Sequence, residues 1–168
     1  KDTYNAFFNG GDGWDKTFAV AAWIPGLDFL KNGRKIFKGA DNVLSAGKWT
    51  NVSENMSDAA ASFQKQITGV DAAQSFKLNG VKFDGVTDGG VLLDAKSGMQ
   101  NFVGKDGNFQ SWFKGGQGLI DQATRQLDAA NGVSIQWHFE NESVMQATQN
   151  LFNKQGIEGI ELIHTPKN

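Results

Sequence analysis

The pattern of apolar and polar positions divides the chain near residue 48. Before that point, glycines alternate with aromatic and small apolar residues, which predicts one or two short helices at about 15–24 and 27–46. After it, the order becomes regular. Ser53 is a suitable N-cap for a helix that runs to about residue 67 and is closed by Gly69.

Short runs of apolar residues then predict a series of strands. Asn79-Gly80, the strongest short-range hairpin signal, joins strands at 76–78 and 81–83. A second turn at 87–90 joins the run ending in Asp84-Gly85 to the apolar run 91–96. The remaining elements are a helix at 119–130, a strand at 133–139, a helix at 142–154 and a strand at 157–164. This order predicts an α/β (α+β) domain with a mixed central sheet flanked by helices, plus a mainly helical N-terminal extension.

Composition narrows the classes of function. The 168 residues suit one domain with an additional N-terminal segment, and 16 basic against 18 acidic side chains leave the chain nearly neutral. A protein that coats nucleic acid would need broad positive charge, whereas a nuclease can rely on a bound metal and a few focused cations. The absence of cysteine excludes disulfides and thiolate nucleophiles. The longest apolar stretch, 18–27, is interrupted by Pro25 and is too short to span a membrane.

Three charged residues of the second hairpin form the main candidate site. Asp94 and Lys96 lie two apart on one strand and so share a face, and Asp84 ends the neighbouring strand. Two carboxylates and an ammonium can together hold Mg²⁺ and steer a phosphate. Asp84, Asp94 and the backbone carbonyl of Ala95 would be the ligands. Lys96 would orient the attacking water or neutralise charge on the phosphorane.

Structural roles remain open for the same residues. Asp84-Gly85 also fits a turn that begins with aspartate, and Asp94 with Lys96 also fits an ion pair. Both alternatives are weakened by the apolar run around Ala95, where an unpaired charge is costly to bury.

Four polar positions and one arginine are secondary candidates, each with a structural alternative. Glu54, near the start of the helix before the sheet, could reach the metal or could favour the helix N-terminus electrostatically. Gln122 and Gln126, four apart on the next helix with Arg125 beside them, could bind phosphate or a base, or could simply be surface residues. His138, at a strand end, could contact phosphate or transfer a proton, or could be structural.

Other catalytic schemes find no support. The chain has no GxSxG, no HExxH and no glycine-rich loop followed by Lys-Ser/Thr. Its glycine-rich segment 114–118 is predicted to be a flexible loop that leads into a helix.

The run from about residue 49 to 166 resembles a known family, the fifth class of restriction-endonuclease-fold toxin domains of bacterial polymorphic toxins. The matching pieces are FQKQITG at 63–69, NGVKFDG at 79–85, LLDAK at 92–96, QATRQ at 122–126, AANG at 129–132, WHF at 137–139, GIEGI at 156–160 and HTP at 164–166.

The resemblance implies a PD-(D/E)xK nuclease core. Asp84, Asp94 and Lys96 would be its signature residues, Glu54 its helical acid, and Mg²⁺ or Mn²⁺ its cofactor. Phe83 stands where this superfamily commonly has proline, and Asp94 stands where glutamate is frequent. The shorter aspartate could shift the metal slightly.

The resemblance also implies a biological setting. Such domains form the C-terminal parts of larger toxins, delivered by contact-dependent or type VI secretion machinery into the cytoplasm of rival bacteria and neutralised by a cognate immunity protein. We therefore expect 49–168 to be the nuclease domain and 1–48 a pre-toxin, uptake or linker segment. DNA is the favoured substrate and RNA, such as tRNA, the alternative; a non-catalytic binding module of the same fold is the other class of function.

Overall fold

The computed structural model describes the backbone of residues 33–168 and the side chains from residue 40 onward. The predicted helix at 15–24 and the first part of the one at 27–46 lie outside the described residues. The remainder of the latter is α1 (Gly33–Ala46), which buries Ala40 and Val43. None of the helices within 33–168 is long and apolar enough to cross a lipid bilayer.

The first sheet is antiparallel and has three strands in the order β1-β2-β3. They are β1 (Lys48–Asn51), β2 (Gln74–Leu78) and β3 (Val81–Phe83). The predicted turn between β2 and β3 is confirmed, with positive φ at both Asn79 (48°) and Gly80 (83°). Asparagine and glycine tolerate this conformation better than other residues, so the pair closes the hairpin without strain.

The second sheet is mixed and has four strands in the order β4-β5-β6-β7. They are β4 (Gly85–Val86), β5 (Leu92–Lys96), β6 (Ile135–Phe139) and β7 (Ile160–His164). The hairpin between β4 and β5 is antiparallel, as predicted, whereas β6 lies parallel to both β5 and β7. The α+β fold class with a mixed sheet flanked by helices is therefore confirmed.

One difference from the predicted fold is that two sheets replace the single one. The chain passes from the first to the second at Asp84, which lies between β3 and β4. There the side chain of Asp84, rather than a strand backbone, accepts the N–H of Ala95. A ladder cannot continue where a side chain replaces the backbone partner, so the sheet divides at this residue.

Helices cover both faces of the second sheet. On one face, α3 (Gly115–Ala130) and α4 (Glu142–Gln155) pack against Ile135, Trp137 and Phe139 of β6 in the main hydrophobic core. On the other, α2 (Asp58–Thr68) lies along β5 and buries Phe63. The face with α3 carries Asp94 and Lys96, so α3 is the helix that completes the candidate site.

Helix α2 begins four residues later than predicted. Its N-cap is Ser57, not Ser53, and the Ser57 hydroxyl accepts the N–H of Ala60 at 3.2 Å. Both serines can cap, but Ser57 precedes Asp-Ala-Ala-Ala at 58–61, and alanine has the highest helix propensity. The predicted end at Gly69 is confirmed, with φ of 73°. Glu54 consequently lies in the irregular segment between β1 and α2, not on a helix.

Helix α3 begins earlier than predicted, because Gly115, Gly116 and Gly118 are helical and not part of a flexible loop. Packing explains the difference. The ring of Phe113 occupies the space next to Gly115, where a Cβ atom would lie 2.1 Å from Cζ, and Gly116 is buried at the Leu151 side chain of α4. Tertiary contacts therefore override the low helix propensity of glycine.

Candidate active site

Asp84 and Asp94 meet where the two sheets divide. Asp94 is in the middle of β5 and only 3% exposed, and Asp84 Oδ2 accepts the N–H of the next residue, Ala95, at 2.8 Å. The N–H and C=O of one strand residue point to the same side. The carbonyl of Ala95 is therefore directed toward the same edge as Asp84. The fold thus brings two carboxylates and one main-chain carbonyl to one place.

The environment of Asp84 disfavours its ionised form. Its pKa is raised from 3.8 to about 7, first by desolvation and then by the nearby charge of Asp94. Lys96 and the N–H of Ala95 oppose this rise in pKa, and Glu54 adds slightly to it. A carboxyl group that titrates near neutrality because of burial and a second carboxylate is typical of functional sites.

Lys96 is buried beside Asp94 and pairs with it. The side chains of Lys96 and Asp94 are 8% and 4% exposed, and Lys96 Nζ forms an ion pair with Asp94 Oδ1. The ammonium also donates to Gln122 Oε1 at 3.0 Å and lies 4.1 Å from the ring centroid of Trp137. The ion pair considered from sequence is thus present, and an aromatic face and an amide oxygen further stabilise the cation.

Two glutamine side chains of α3 fix the orientation of Asp94. Gln126 donates from Nε2 to Asp94 Oδ2 at 2.5 Å and accepts the indole N–H of Trp137 at 2.7 Å. Because an indole can only donate and a carboxylate only accepts, one orientation of this amide satisfies both partners. The orientation of the Gln122 amide is fixed in the same way, because its oxygen accepts from Lys96 and its Nε2 donates to Asp94 Oδ2 at 2.9 Å.

This arrangement differs from the role in substrate binding that the sequence suggested for these amides. Gln126 is completely buried and therefore offers no surface to a substrate. Gln122 is partly exposed, but both ends of its amide are engaged by the ion pair. Their contacts are those of residues that position Asp94 and Lys96.

Glu54 lies at the rim of the site, whereas no contact among residues 40–168 connects Arg125 to the carboxylates. Glu54 forms an ion pair with Lys82 of β3, and it is near enough for its charge to raise the pKa of Asp84. Its predicted position near a helix N-terminus is wrong, because α2 begins four residues further on. Arg125 is exposed on α3 and forms no ion pair with any residue in the described part of the chain.

His138 is not brought to the carboxylates. It is opposite Ala95 in the parallel register, so its side chain lies on the face of the sheet away from Asp94. There its Nδ1 is 2.8 Å from the hydroxyl of Thr165. Desolvation lowers the pKa of His138, partly opposed by the charge of Glu161. The contacts of His138 are those of a half-buried structural histidine.

The donor set suits a hard divalent cation. Within residues 40–168, no group of three or more His, Cys, Asp or Glu side chains is arranged to hold a metal ion. The predicted set, however, contains two carboxylates and a carbonyl, which are the oxygen ligands that Mg²⁺ and Mn²⁺ prefer. Asp84 Oδ1 receives no hydrogen bond from the described residues, and a cation would offset the repulsion that raises the pKa of Asp84. The carboxylate of Glu54, by contrast, is engaged by Lys82.

Sequence reasoning did not identify Trp137 as part of this site. Alternation along β6 places it on the same face as Ile135 and Phe139, and that much can be read from the sequence. Its position beside Asp94 depends on the register between β5 and β6, which residues distant in sequence determine.

Comparison with known proteins agrees with this architecture. Residues 60–142 match the family model described as restriction endonuclease fold toxin 5, and the matched segment contains Asp84, Asp94 and Lys96 together with both glutamines of α3. No curated protein matches the chain. The match accords with the α+β fold around a mixed sheet and indicates a nuclease toxin. The domain that carries this site therefore belongs to the restriction endonuclease fold toxin 5 family.

Proposed function

We propose that the chain is a metal-dependent endonuclease toxin that hydrolyses phosphodiester bonds, with DNA as its favoured substrate. The observation that carries the proposal is the convergence of Asp84 and Asp94 beside the buried ammonium of Lys96. Family membership supports the same activity. The DNA preference rests on the restriction-endonuclease architecture alone.

The proposed roles follow from the contacts of each group. Asp84, Asp94 and the Ala95 carbonyl would hold Mg²⁺ or Mn²⁺, with Glu54 as a further carboxylate at the rim. A divalent cation bound there would act as a Lewis acid and lower the pKa of a water nucleophile. Lys96, held by Asp94 and Gln122, supplies a fixed positive charge beside the carboxylates, where it can stabilise negative charge on the phosphate.

Around this centre, the remaining residues have different proposed roles. Gln126 and Trp137 keep Asp94 in one orientation and exclude water from its far side, since both are fully buried. Arg125, exposed on α3, remains a candidate for contact with the substrate backbone. His138 lies on the face of the sheet opposite to Asp94, where it could not contact a phosphate bound at the carboxylates. We therefore give His138 no part in the reaction.

The proposed setting is interbacterial competition. In it, residues 49–168 form the nuclease domain and residues 1–48 a pre-toxin, uptake or linker segment. The domain would be delivered as the C-terminal part of a larger toxin by contact-dependent or type VI secretion and would act in the cytoplasm of the target cell. A cognate immunity protein would neutralise it in the producing cell.

One observation favours the non-catalytic alternative, a binding module of nuclease fold. Both carboxylate oxygens of Asp94 are already engaged, Oδ1 by Lys96 and Oδ2 by Gln122 and Gln126. A metal ligand must give up or share such contacts. In that case the chain would bind nucleic acid without cleaving it.

Plasmid DNA and total RNA incubated with the purified chain, in Mg²⁺ and in EDTA, test the proposal. We expect Mg²⁺-dependent degradation of DNA that Asp84→Asn abolishes and Asp88→Asn leaves intact, because Asp88 is an exposed residue of the adjoining turn. If only RNA were degraded, the proposed DNase activity would be wrong and the chain would be an RNase of the same fold. Binding without degradation of either polymer would establish the non-catalytic alternative.

A further inference from the structure

Three lysines form a row across the first sheet. Lys48 of β1 is paired with Lys77 of β2, and Lys77 is paired with Lys82 of β3. Residues in register on neighbouring strands point to the same face, so the three ammonium groups share one side of the sheet. All three side chains are exposed.

This arrangement is unfavourable for the fold itself. Like charges directly opposite each other on neighbouring strands repel, and Lys77 has a lysine on both sides. Lys82 alone has a carboxylate partner, Glu54, whereas Lys48 and Lys77 have none among residues 40–168. Charges that the fold does not neutralise, on a chain with a net charge of −2, are the focused cations that a polyanion would bind.

The row also leads to the candidate active site. The strand order places Lys82 at the end of the row next to the second sheet, two residues before Asp84. Neighbouring strands are about 4.8 Å apart, so the row spans roughly 10 Å, the axial length of about three phosphates of one nucleic-acid strand. The geometry points to a phosphate track: we propose that Lys48, Lys77 and Lys82 bind the sugar-phosphate backbone of the nucleic acid and guide it toward Asp84.

This inference rests on the proposed nuclease function and adds to it the surface along which the substrate lies. The contacts are with phosphates, so they carry no sequence information. They would set affinity and register on the polymer, while the carboxylates and Lys96 act on the bond that is cleaved.

The salt dependence of binding tests the inference. Affinity of the full chain for a labelled 20-nucleotide strand and for the same sequence as a duplex is measured by fluorescence anisotropy, in EDTA and over a series of KCl concentrations. Each phosphate contact adds about 0.7 (single strand) or 0.9 (duplex) to the slope of log K against log salt. We expect Lys48→Gln and Lys77→Gln each to reduce the magnitude of the slope by roughly this amount, and Lys82→Gln to reduce it by less, because the Lys82 ammonium is already paired with Glu54.

Lys65→Gln is the matched control, because Lys65 is exposed on α2, has no ion-pair partner among the described residues and changes the net charge equally. It should leave the slope unchanged. Thermal unfolding provides a second readout: Lys77→Gln removes two repulsive contacts, so its melting temperature should equal or exceed that of the wild type while its affinity falls. If Lys77 instead had a structural role, Lys77→Gln would lower both the melting temperature and the affinity for nucleic acid.

The outcomes separate this inference from the proposed function. If the wild type cleaves nucleic acid but all three lysine variants keep the wild-type slope, the phosphate track is wrong and the nuclease stands. Unchanged slopes are also the result expected if the three lysines bind an acidic protein instead of nucleic acid. If the wild type neither binds nor cleaves any nucleic acid, both proposals fail.

Discussion

The carboxylate of Asp94 is nearly buried, and its hydrogen-bond donors come from two different elements. Lys96 approaches from its own strand, and Gln122 and Gln126 approach from α3. Burying an ion pair gains little net stability, but removing one partner leaves an uncompensated charge and typically destabilises a fold by about 3–5 kcal/mol. The amides therefore have two effects: they satisfy the buried carboxylate and they fix its orientation.

Replacement of Gln126 by leucine tests this role. The substitution leaves Trp137 Nε1 without its acceptor and Asp94 Oδ2 with one donor fewer. We expect the free energy of unfolding in urea to fall by about 1–3 kcal/mol, and the cleavage rate to fall as well. Gln117→Leu, an exposed position on the same helix, should change neither. Wild-type stability and activity in Gln126→Leu would show that the orientation of Asp94 does not depend on this amide.

The raised pKa of Asp84 predicts an unusual dependence of stability on pH. Between pH 3.8 and about 7 the folded state retains a proton on Asp84 that the unfolded state releases. The free energy of unfolding contributed by this group therefore decreases as the pH rises through that window, with each pKa unit equivalent to about 1.4 kcal/mol.

Asp84→Asn removes this titration. Compared with the wild type, the variant should gain stability as the pH rises from 4 to 7.5, and the difference at neutral pH should be on the order of a few kcal/mol. Urea denaturation at a series of pH values measures it. A difference between the two proteins that is constant with pH would mean that Asp84 has an ordinary pKa.

At the scale of single residues, the sequence predicts the charged residues of the site better than the neutral residues that hold them in position. Asp84, Asp94 and Lys96 could be grouped because a two-residue period and one turn suffice to bring them together. Trp137 and the buried amide of Gln126 could not, since their contacts require the register between β5 and β6 and the packing of α3 on that sheet.

At the scale of elements, the first turn of α3 combines glycines in two different environments. Gly118 has open space where a Cβ would be, whereas at Gly115 the Phe113 ring occupies that space. We expect Gly118→Ala to stabilise the protein by up to about 1 kcal/mol through helix propensity, and Gly115→Ala to destabilise it. Thermal unfolding of both variants is the measurement. Equal stabilisation by the two substitutions would show that Phe113 moves freely away.

Elements with strong local signals were predicted, and those that depend on distant contacts were not. Asn79-Gly80 and Gly69 supply the left-handed conformations that their turn and cap require, so both boundaries agree with the structure. Strand β1 has only four residues and is recognisable chiefly through its pairing with β2, including Trp49 opposite Phe76. The early start of α3 likewise depends on Phe113, a contact that no periodicity reveals.

For the whole molecule, the candidate metal site links the two sheets. Asp84 lies at the end of the first sheet and Asp94 within the second, so a cation held by both would connect them. The nearly neutral composition is compatible with nuclease activity, but it does not show where charge is concentrated. That information comes from strand register, which aligns the three lysines of the row.

Mg²⁺ should therefore stabilise the fold in a pH-dependent way. At pH 8, where Asp84 is ionised, millimolar Mg²⁺ should raise the melting temperature, because a ligand that binds only the folded state stabilises it. At pH 5 the increase should be smaller, since protons compete for the same carboxylate. Asp84→Asn should abolish the effect, and Asp88→Asn should retain it. Equal shifts in all three proteins would indicate that Mg²⁺ binds elsewhere.

The central claim is that the carboxylates beside Lys96 perform the cleavage, and the initial rate of nucleic-acid cleavage by Asp94→Asn in Mg²⁺ tests it most directly. Asparagine retains the shape of Asp94 while removing its charge, and the Asp88→Asn variant controls for loss of a carboxylate in the same hairpin. We predict a loss of at least about 100-fold for Asp94→Asn, in the range found when a group that stabilises charge is removed from an active site, and a wild-type rate for Asp88→Asn. A folded Asp94→Asn protein that cleaves at the wild-type rate would contradict the assignment of this site.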